Sequence, residues 1–472
     1  MLFNSLTFLL FLVIVFLCYW IIQKHEYQNI LLLISSYVFY GWWDWRFLFL
    51  IIGCSAINYF SGKAIYSSPN NIKRKIYLAL CCFICVGSLC YFKYANFFIS
   101  SFITVIKLFN PHFTSNLILH ILLPVGISFF TFQGLSYTLD IYLGKLKPTN
   151  NWIEFFVFIS FFPQLVAGPI ERASNLLPQF QRERKFDFNE ATQGMCLIAY
   201  GLFKKMVVAD ILALYVDKVF GIPELYNSIS CILATFFFSI QIYCDFSGYS
   251  DCARGIARLF GFELMLNFNR PYLADSFIDF WRRWHISLST WFKDYVYIPL
   301  GGNRVGFGKL IRNVWIVFLL SGLWHGAAWT FVIWGGLHAL YQTIDLIKRR
   351  YYHPPEQTHI CLSIINKIII FALIAFAWIF FRAQSYENLK AFITILFTGG
   401  FHTTMTQLCA QQGPLTFLCC WISVGLLALS YLTPIDCQFK SIKGKFLFII
   451  ACALAIVFMG MPSGGEFIYF QF

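Results

Sequence analysis

Apolar stretches of membrane length recur along almost the whole chain, and no other feature limits the fold as strongly. They cover residues 2–22, 29–42, 46–60, 76–92, 95–109, 117–142, 152–167, 192–210, 229–244, 313–341, 364–381, 415–432 and 445–461. Inside a bilayer the backbone has to satisfy its own polar groups, which long apolar segments do as helices. Several segments are shorter than the roughly 20 residues of a simple span, so some are expected to tilt, re-enter or merge. The spacing predicts an all-α polytopic integral membrane protein with about 11 transmembrane helices plus re-entrant and interfacial helices. Composition agrees: the chain is 59% hydrophobic and 12% charged, where a soluble domain carries about 25% charged residues. No linker divides it. One membrane domain is expected over 1–472, with N-terminal helices to 115, a core at 116–345 and C-terminal helices from 346.

The segment from Leu2 to Ile22 lacks a basic start and a small-residue cleavage site, so it reads as a retained helix. The net charge of +13 does not point to nucleic acid. Basic residues sit in short loops (Lys63 to Lys75, Arg182 to Lys185, Lys348 to Arg350), as in cytoplasmic loops. The loop from Ser61 to Ile76 is therefore expected inside and the N-terminus outside, provided that Gly41 to Arg46 is a true break between spans. The 16 cysteines are scattered through apolar segments. Cys82 and Cys85 form a CxxC pair inside such a segment and read as small buried hydrophobes, so no metal site is expected.

His325 stands near the middle of the uncharged run from Asn313 to Tyr341. An imidazole in such a run marks a relay, a pathway or a catalytic site; the alternative is a histidine bonded between helices as structural glue. Gly322 and Gly326 flank it, which leaves room either for a thin ligand or for close helix packing. His338, on the same segment, reads as structural or interfacial.

The stretch from Arg254 to Arg312 breaks the apolar pattern. Its frequent charges and many aromatics suit helices in the interface or in a protein-lined recess. Ser276 and Asp279 resemble a capping box. One helix from there would put Trp281, Trp284, Leu288 and Trp291 on one face and Arg282, His285 and Ser289 on another. Asp245 and Asp251 are expected as structural partners of Arg254 or Arg282, with lining of a substrate recess as the alternative.

Six blocks resemble the membrane-bound O-acyltransferase family, in that family's order. They are Phe162 to Ile170 with Leu177 to Gln179; Gly201 to Asp210; Asp245 to Asp251; Asn269 to Tyr272; Asp279 to Arg304; and Gly322 to Gly326. The bacterial branch that modifies alginate, peptidoglycan and teichoic acids is the most similar. The resemblance implies a central funnel, His325 as the intramembrane catalytic histidine and His285 as the second active-site histidine. It also implies a cytoplasmic thioester donor, acyl-CoA or an acyl carrier, with no bound cofactor. A separate extracytoplasmic SGNH-type acyltransferase partner and a polysaccharide or cell-wall acceptor follow from the same likeness, as does a bacterial inner-membrane location.

Acyl transfer needs a base for the acceptor hydroxyl and a stabiliser for the oxyanion. Arg282, Arg283 and Lys293 are candidates for the donor's phosphates; Ser289, Asp245 and Trp324 complete the candidate substrate-binding set. Two competing readings are a proton-coupled transporter and a non-catalytic scaffold for a polysaccharide-modifying enzyme.

Overall fold

The computed structural model describes residues 1–113, 117–351, 360–401, 413–434, 437–461, 465 and 467–468. Every regular element among them is helical. The N-terminal part holds α1 (Leu6–Ile21), α2 (His25–Gly41), α3 (Leu48–Ser67), α4 (Asn71–Leu89) and α5 (Ala95–Phe109). The core holds α6 (Ile127–Tyr142), α7 (Trp152–Ser160), α8 (Ala173–Gln181), α9 (Phe188–Phe203), α10 (Asp210–Gly221) and α11 (Ser228–Leu259). It continues through α12 (Phe277–Arg283), α13 (Ile286–Phe292), α14 (Phe307–His325) and α15 (Trp329–Tyr351). Beyond it lie α16 (Ile360–Arg382), α17 (Tyr386–Thr398), α18 (Pro414–Ser430) and α19 (Ile442–Met459).

By length and composition, six helices among the described residues can cross a membrane: α3 with its leading turn, the continuous α4–α5, α11, α14, α16 and α19. This is fewer than the expected 11, partly because apolar segments merge. Residues 76–92 and 95–109 are one helix, joined through a π-helical turn at Cys90–Tyr94. The segment at 229–244 runs on through its polar extension to Leu259, and that at 117–142 is helical only from Ile127. The break at Gly41 to Arg46 is real: Trp42 closes α2, and Asp44 caps the turn into α3.

Helix α11 is the central post. Its membrane-length window is 72% buried in protein, against 11% for α19, which is why α11 tolerates Gln241, Asp245, Ser247, Ser250 and Arg254 on one rod. Glycines let α9 lie against it almost backbone to backbone. A Cβ on Gly201 would stand 2.5 Å from the Gly248 carbonyl oxygen, and one on Gly194 would stand 2.6 Å from that of Gly255. The glycines recur seven residues apart on both helices and pair in antiparallel order. Gly201→Val is therefore expected to destabilise the protein by about 3 kcal/mol, since backbone cannot move aside as a side chain can. Gly53→Val, where a Cβ meets nothing within 4 Å, is the control. Thermal unfolding of detergent-solubilised protein checks both; equal midpoints would refute the packing argument.

The polar blocks of α11 face a π-helical segment, Lys204–Ala209, between α9 and α10. Lys205 Nζ lies 2.7 Å from Asp245 and 2.9 Å from Asp210. Lys204 pairs with Asp251, which also approaches Arg254 at 3.8 Å. The expected Asp251–Arg254 pair is present. The expectation for Asp245 is corrected: its partner is Lys205, neither Arg254 nor Arg282, because helical continuity to Leu259 turns Asp245 toward the π-helical segment after α9. Its second oxygen accepts from the Ile468 backbone N–H at 2.7 Å.

Candidate active site

The run from Asn313 to Tyr341 is not one helix. It folds back at Gly326 to Ala328, and α14 and α15 form a hairpin. Glycines close it: a Cβ on Gly322 would stand 2.3 Å from the Phe331 carbonyl oxygen, and one on Gly335 equally close to that of Phe318. Close helix packing is thus the work of these small residues. The fold-back places His325 as the last residue of α14. Its ring is 2% exposed and packs edge-on against Trp334 at 4.9 Å and Phe381 at 5.4 Å.

The helix expected from Ser276 also breaks. Ser276 does cap it, accepting from the Asp279 N–H. But α12 ends at Arg283, Trp284 is extended, and His285 takes a left-handed backbone (φ 43°) before α13 starts. Asn267 holds this kink. Its backbone carbonyl accepts from the Ile286 N–H at 3.0 Å. Its side-chain oxygen accepts from the Ser287 N–H at 3.2 Å and hydroxyl at 2.9 Å, and stands 3.3 Å from His285 Nδ1. An amide oxygen only accepts, so this contact favours the proton on Nδ1 and leaves Nε2 as the basic nitrogen. A left-handed non-glycine residue held by neighbours is the kind of strain that gathers at working sites.

The kink corrects the one-helix arrangement of faces. Arg282 and Ser289 do not share a face with His285, which is fully buried. Two of the tryptophans face separate protein walls: Trp284 packs on Trp378 at 4.9 Å, and Trp291 stacks on Phe132 at 3.9 Å. The block occupies a recess inside the protein. Of the two readings of His338, the structure favours the structural one: it is buried and accepts from Trp281 Nε1 at 3.2 Å within an aromatic cage.

These two interruptions bring the imidazoles of His285 and His325, 40 residues apart in the sequence, to a centroid separation of 6.2 Å. Trp324 and Phe129 flank the pair. A cavity of about 950 Å³ approaches along α14, lined successively by Val314, Val317, Phe318 and Ser321. His325 follows Ser321 by one helical turn. At its mouth stand Arg282, Lys293 and Arg304, with Ser289, Thr290 and Asn303; no carboxylate lines it. The turn from Pro299 to Arg304 builds this rim, and Gly301 and Gly302 supply the positive φ it requires. A second cavity of about 20 Å³ touches His325, Trp324, Lys93 and Ser128. The large cavity and the small one have separate linings, and His285 is in neither.

Of the sequence candidates, Arg282, Lys293 and Ser289 line the large cavity, and Trp324 and His325 the small one. Arg283 lines neither and is held by Asp279 at 2.9 Å. Asp245 stands apart, in its ion pair with Lys205. Sequence reasoning missed Asn267, Arg304 and Lys93. The signal for Lys93 was a lone charge between two apolar segments; Asn267 carried none. Among the described residues no three His, Cys, Asp or Glu side chains form a metal-binding group.

The membrane-bound O-acyltransferase family model matches residues 149–384, a range that includes both histidines. A probable alginate O-acetylase of Pseudomonas aeruginosa is 38% identical over 92% of this chain and 80% of its own. A peptidoglycan O-acetyltransferase of Helicobacter pylori is 37% identical, covering 82% and 78%. A teichoic acid D-alanyltransferase of Bacillus subtilis is 26% identical, covering 56% and 70%. With a matching family model, close relatives across most of its length and long apolar helices around a buried histidine pair, the chain belongs to the membrane-bound O-acyltransferase family and is a multi-pass membrane O-acyltransferase.

Proposed function

We propose that this enzyme moves an acetyl group from a cytoplasmic thioester, acetyl-CoA or an acetylated carrier, toward an extracytoplasmic polysaccharide or cell-wall polymer. The large cavity carries the reading: a rim of three cations and no carboxylate, an apolar barrel, and His325 one turn past its inner residue Ser321. Cations hold the donor's phosphates, the barrel takes the thin pantetheine arm, and His325 acts as general base. Arg282, Lys293 and Arg304 take the phosphate role; Arg283, already paired, does not. His285 Nε2 is a second basic nitrogen beside His325 and serves the same proton transfer. The relatives named O-acetylase and O-acetyltransferase support acetyl as the group moved. A bacterial inner-membrane location and an SGNH-type extracytoplasmic partner complete the pathway, with one domain carrying the whole site.

The test is thiol release from acetyl-CoA or an acetylated carrier by the purified protein in nanodiscs, with an oligosaccharide acceptor outside. Turnover above protein-free nanodiscs is expected. None with either donor would overturn the proposal.

Asn267→Ala should lower kcat about 10²-fold, because displacing a reacting group by about 1 Å can cost that much. Near-wild-type melting is expected. Unchanged kcat would show that the kink does not set the position of His285.

The basic loop after α3 supports an N-terminus outside. A cysteine at Ser67, in a cysteine-free background, should resist membrane-impermeant maleimide in intact cells. Rapid labelling would invert the topology and move the donor side.

A further inference from the structure

The small cavity at His325 has a wall that the acyl-transfer reading leaves unused. Lys93 lies on the π-helical turn Cys90–Tyr94, inside the long α4–α5 rod. Its Nζ donates to the carbonyls of Trp324 at 2.7 Å and His325 at 3.1 Å, while the Tyr94 hydroxyl donates to that of Leu323 at 2.7 Å. The last three carbonyls of α14 are thus held by two neighbouring residues. A π turn adds one residue to a helix and re-aims what it carries, and such turns recur at functional sites. An ammonium has three N–H donors. Two are used on carbonyls, and Lys93 also lines the cavity that touches His325.

The opposite wall is the start of α6. Gly126, with φ 76°, is its N-cap and offers no side chain to the first turn. A Cβ there would stand 2.9 Å from the Leu165 carbonyl oxygen. First-turn N–H groups lack intrahelical partners and carry partial positive charge. Ser128 lines the same cavity, is 6% exposed, and its hydroxyl has no hydrogen-bond partner among the described residues. A cation, a helix N-terminus and a serine hydroxyl therefore converge on a space of about 20 Å³ beside the imidazole, enough for one or two atoms.

We propose that this cavity is the oxyanion pocket of the acyl transfer and that Lys93 is its charged donor. The inference rests on the thioester reading above. The acceptor hydroxyl oxygen attacks the thioester carbonyl carbon, and a C–O bond forms as the hydroxyl proton passes to His325. The carbonyl electron pair moves onto oxygen, which sits against the Lys93 ammonium, the Ser128 hydroxyl and the α6 N-terminus. Collapse breaks the C–S bond, and the proton on His325 goes to the departing thiolate. Tyr94 is a positioning residue, acting through the end of α14.

The simpler alternative is that Lys93 only caps α14, whose C-terminal carbonyls favour a cation. Three variants separate the two in the nanodisc thiol-release assay. Lys93→Met removes donors and charge, Lys93→Gln keeps N–H donors for the carbonyls without charge, and Lys93→Arg keeps the charge. Loss of one oxyanion donor typically costs about 10²–10³-fold in kcat. Lys93→Met and Lys93→Gln should both fall by that factor with donor KM within about threefold, and Lys93→Arg should keep more than about a tenth of wild-type kcat. If Lys93→Gln matches wild type, the residue is a cap and the proposal fails. Lys93→Met within about threefold of wild-type kcat also overturns it. Should Lys93→Met not fold, the Gln and Arg variants decide. A wild-type protein that releases no thiol refutes the thioester reading itself, separately from the role of Lys93.

Discussion

His325→Ala is expected to reduce acyl transfer about 10³-fold, within the range that a positioned base contributes. The ring is 2% exposed and wedged among Trp324, Trp334 and Phe381, so alanine also leaves a hole. Loss of packing and loss of the base have to be told apart. His325→Gln does this, because glutamine fills much of the volume and still hydrogen-bonds but cannot shuttle a proton. Both variants should lose turnover, while His325→Gln melts close to the parent protein. Full turnover by His325→Gln would remove His325 from the chemistry. The small cavity predicts a further asymmetry: donor binding through the distant cationic rim should survive either change, so donor KM should move little while kcat collapses.

Lys205→Met is expected to cost about 3–5 kcal/mol, the typical penalty for stranding a buried charge. Lys205 and Asp245 are each 2% exposed at the side chain, and Asp210 is 5% exposed. Removing the ammonium takes away the cation that both buried carboxylates contact. Little folded protein should survive solubilisation. Adding Asp245→Asn and Asp210→Asn to the methionine variant should recover much of the loss, because neutral amides remove the stranded charge. Fluorescence-detected size exclusion after a heating series reads both. A single variant as heat-stable as wild type would show that the ion network is dispensable. The same result bears on Asp245: a residue engaged with Lys205 and the Ile468 N–H has no free oxygen facing the large cavity.

Local chemistry explains what could be read early. Ser276 caps a helix because its hydroxyl can reach the Asp279 N–H, a contact spanning three residues. The break at Gly41 to Arg46 follows from the tryptophans and Asp44 that interrupt the apolar pattern. Arg282, Ser289 and Lys293 stand out in the sequence because the block around them is too polar for lipid and too aromatic for a free loop, and all three line the large cavity. The same reasoning failed at His285. Helical periodicity assumes an unbroken helix, and the left-handed residue at the kink is stabilised by Asn267, 18 positions earlier. It failed at Asp245 as well, where α11 continues straight through a polar block that looks like the end of a span.

The sequence by itself determined the membrane class, the helical backbone and the family blocks, and it singled out both candidate histidines, because these depend on residue type and short-range order. Only the tertiary structure decided how they meet. The hairpin at Gly326 to Ala328 and the kink at His285 bring the imidazoles to 6.2 Å, and Lys93, 232 residues before His325, closes the end of its helix. Such contacts arise when distant helices are packed, and no periodicity within a single helix records which partner it will meet.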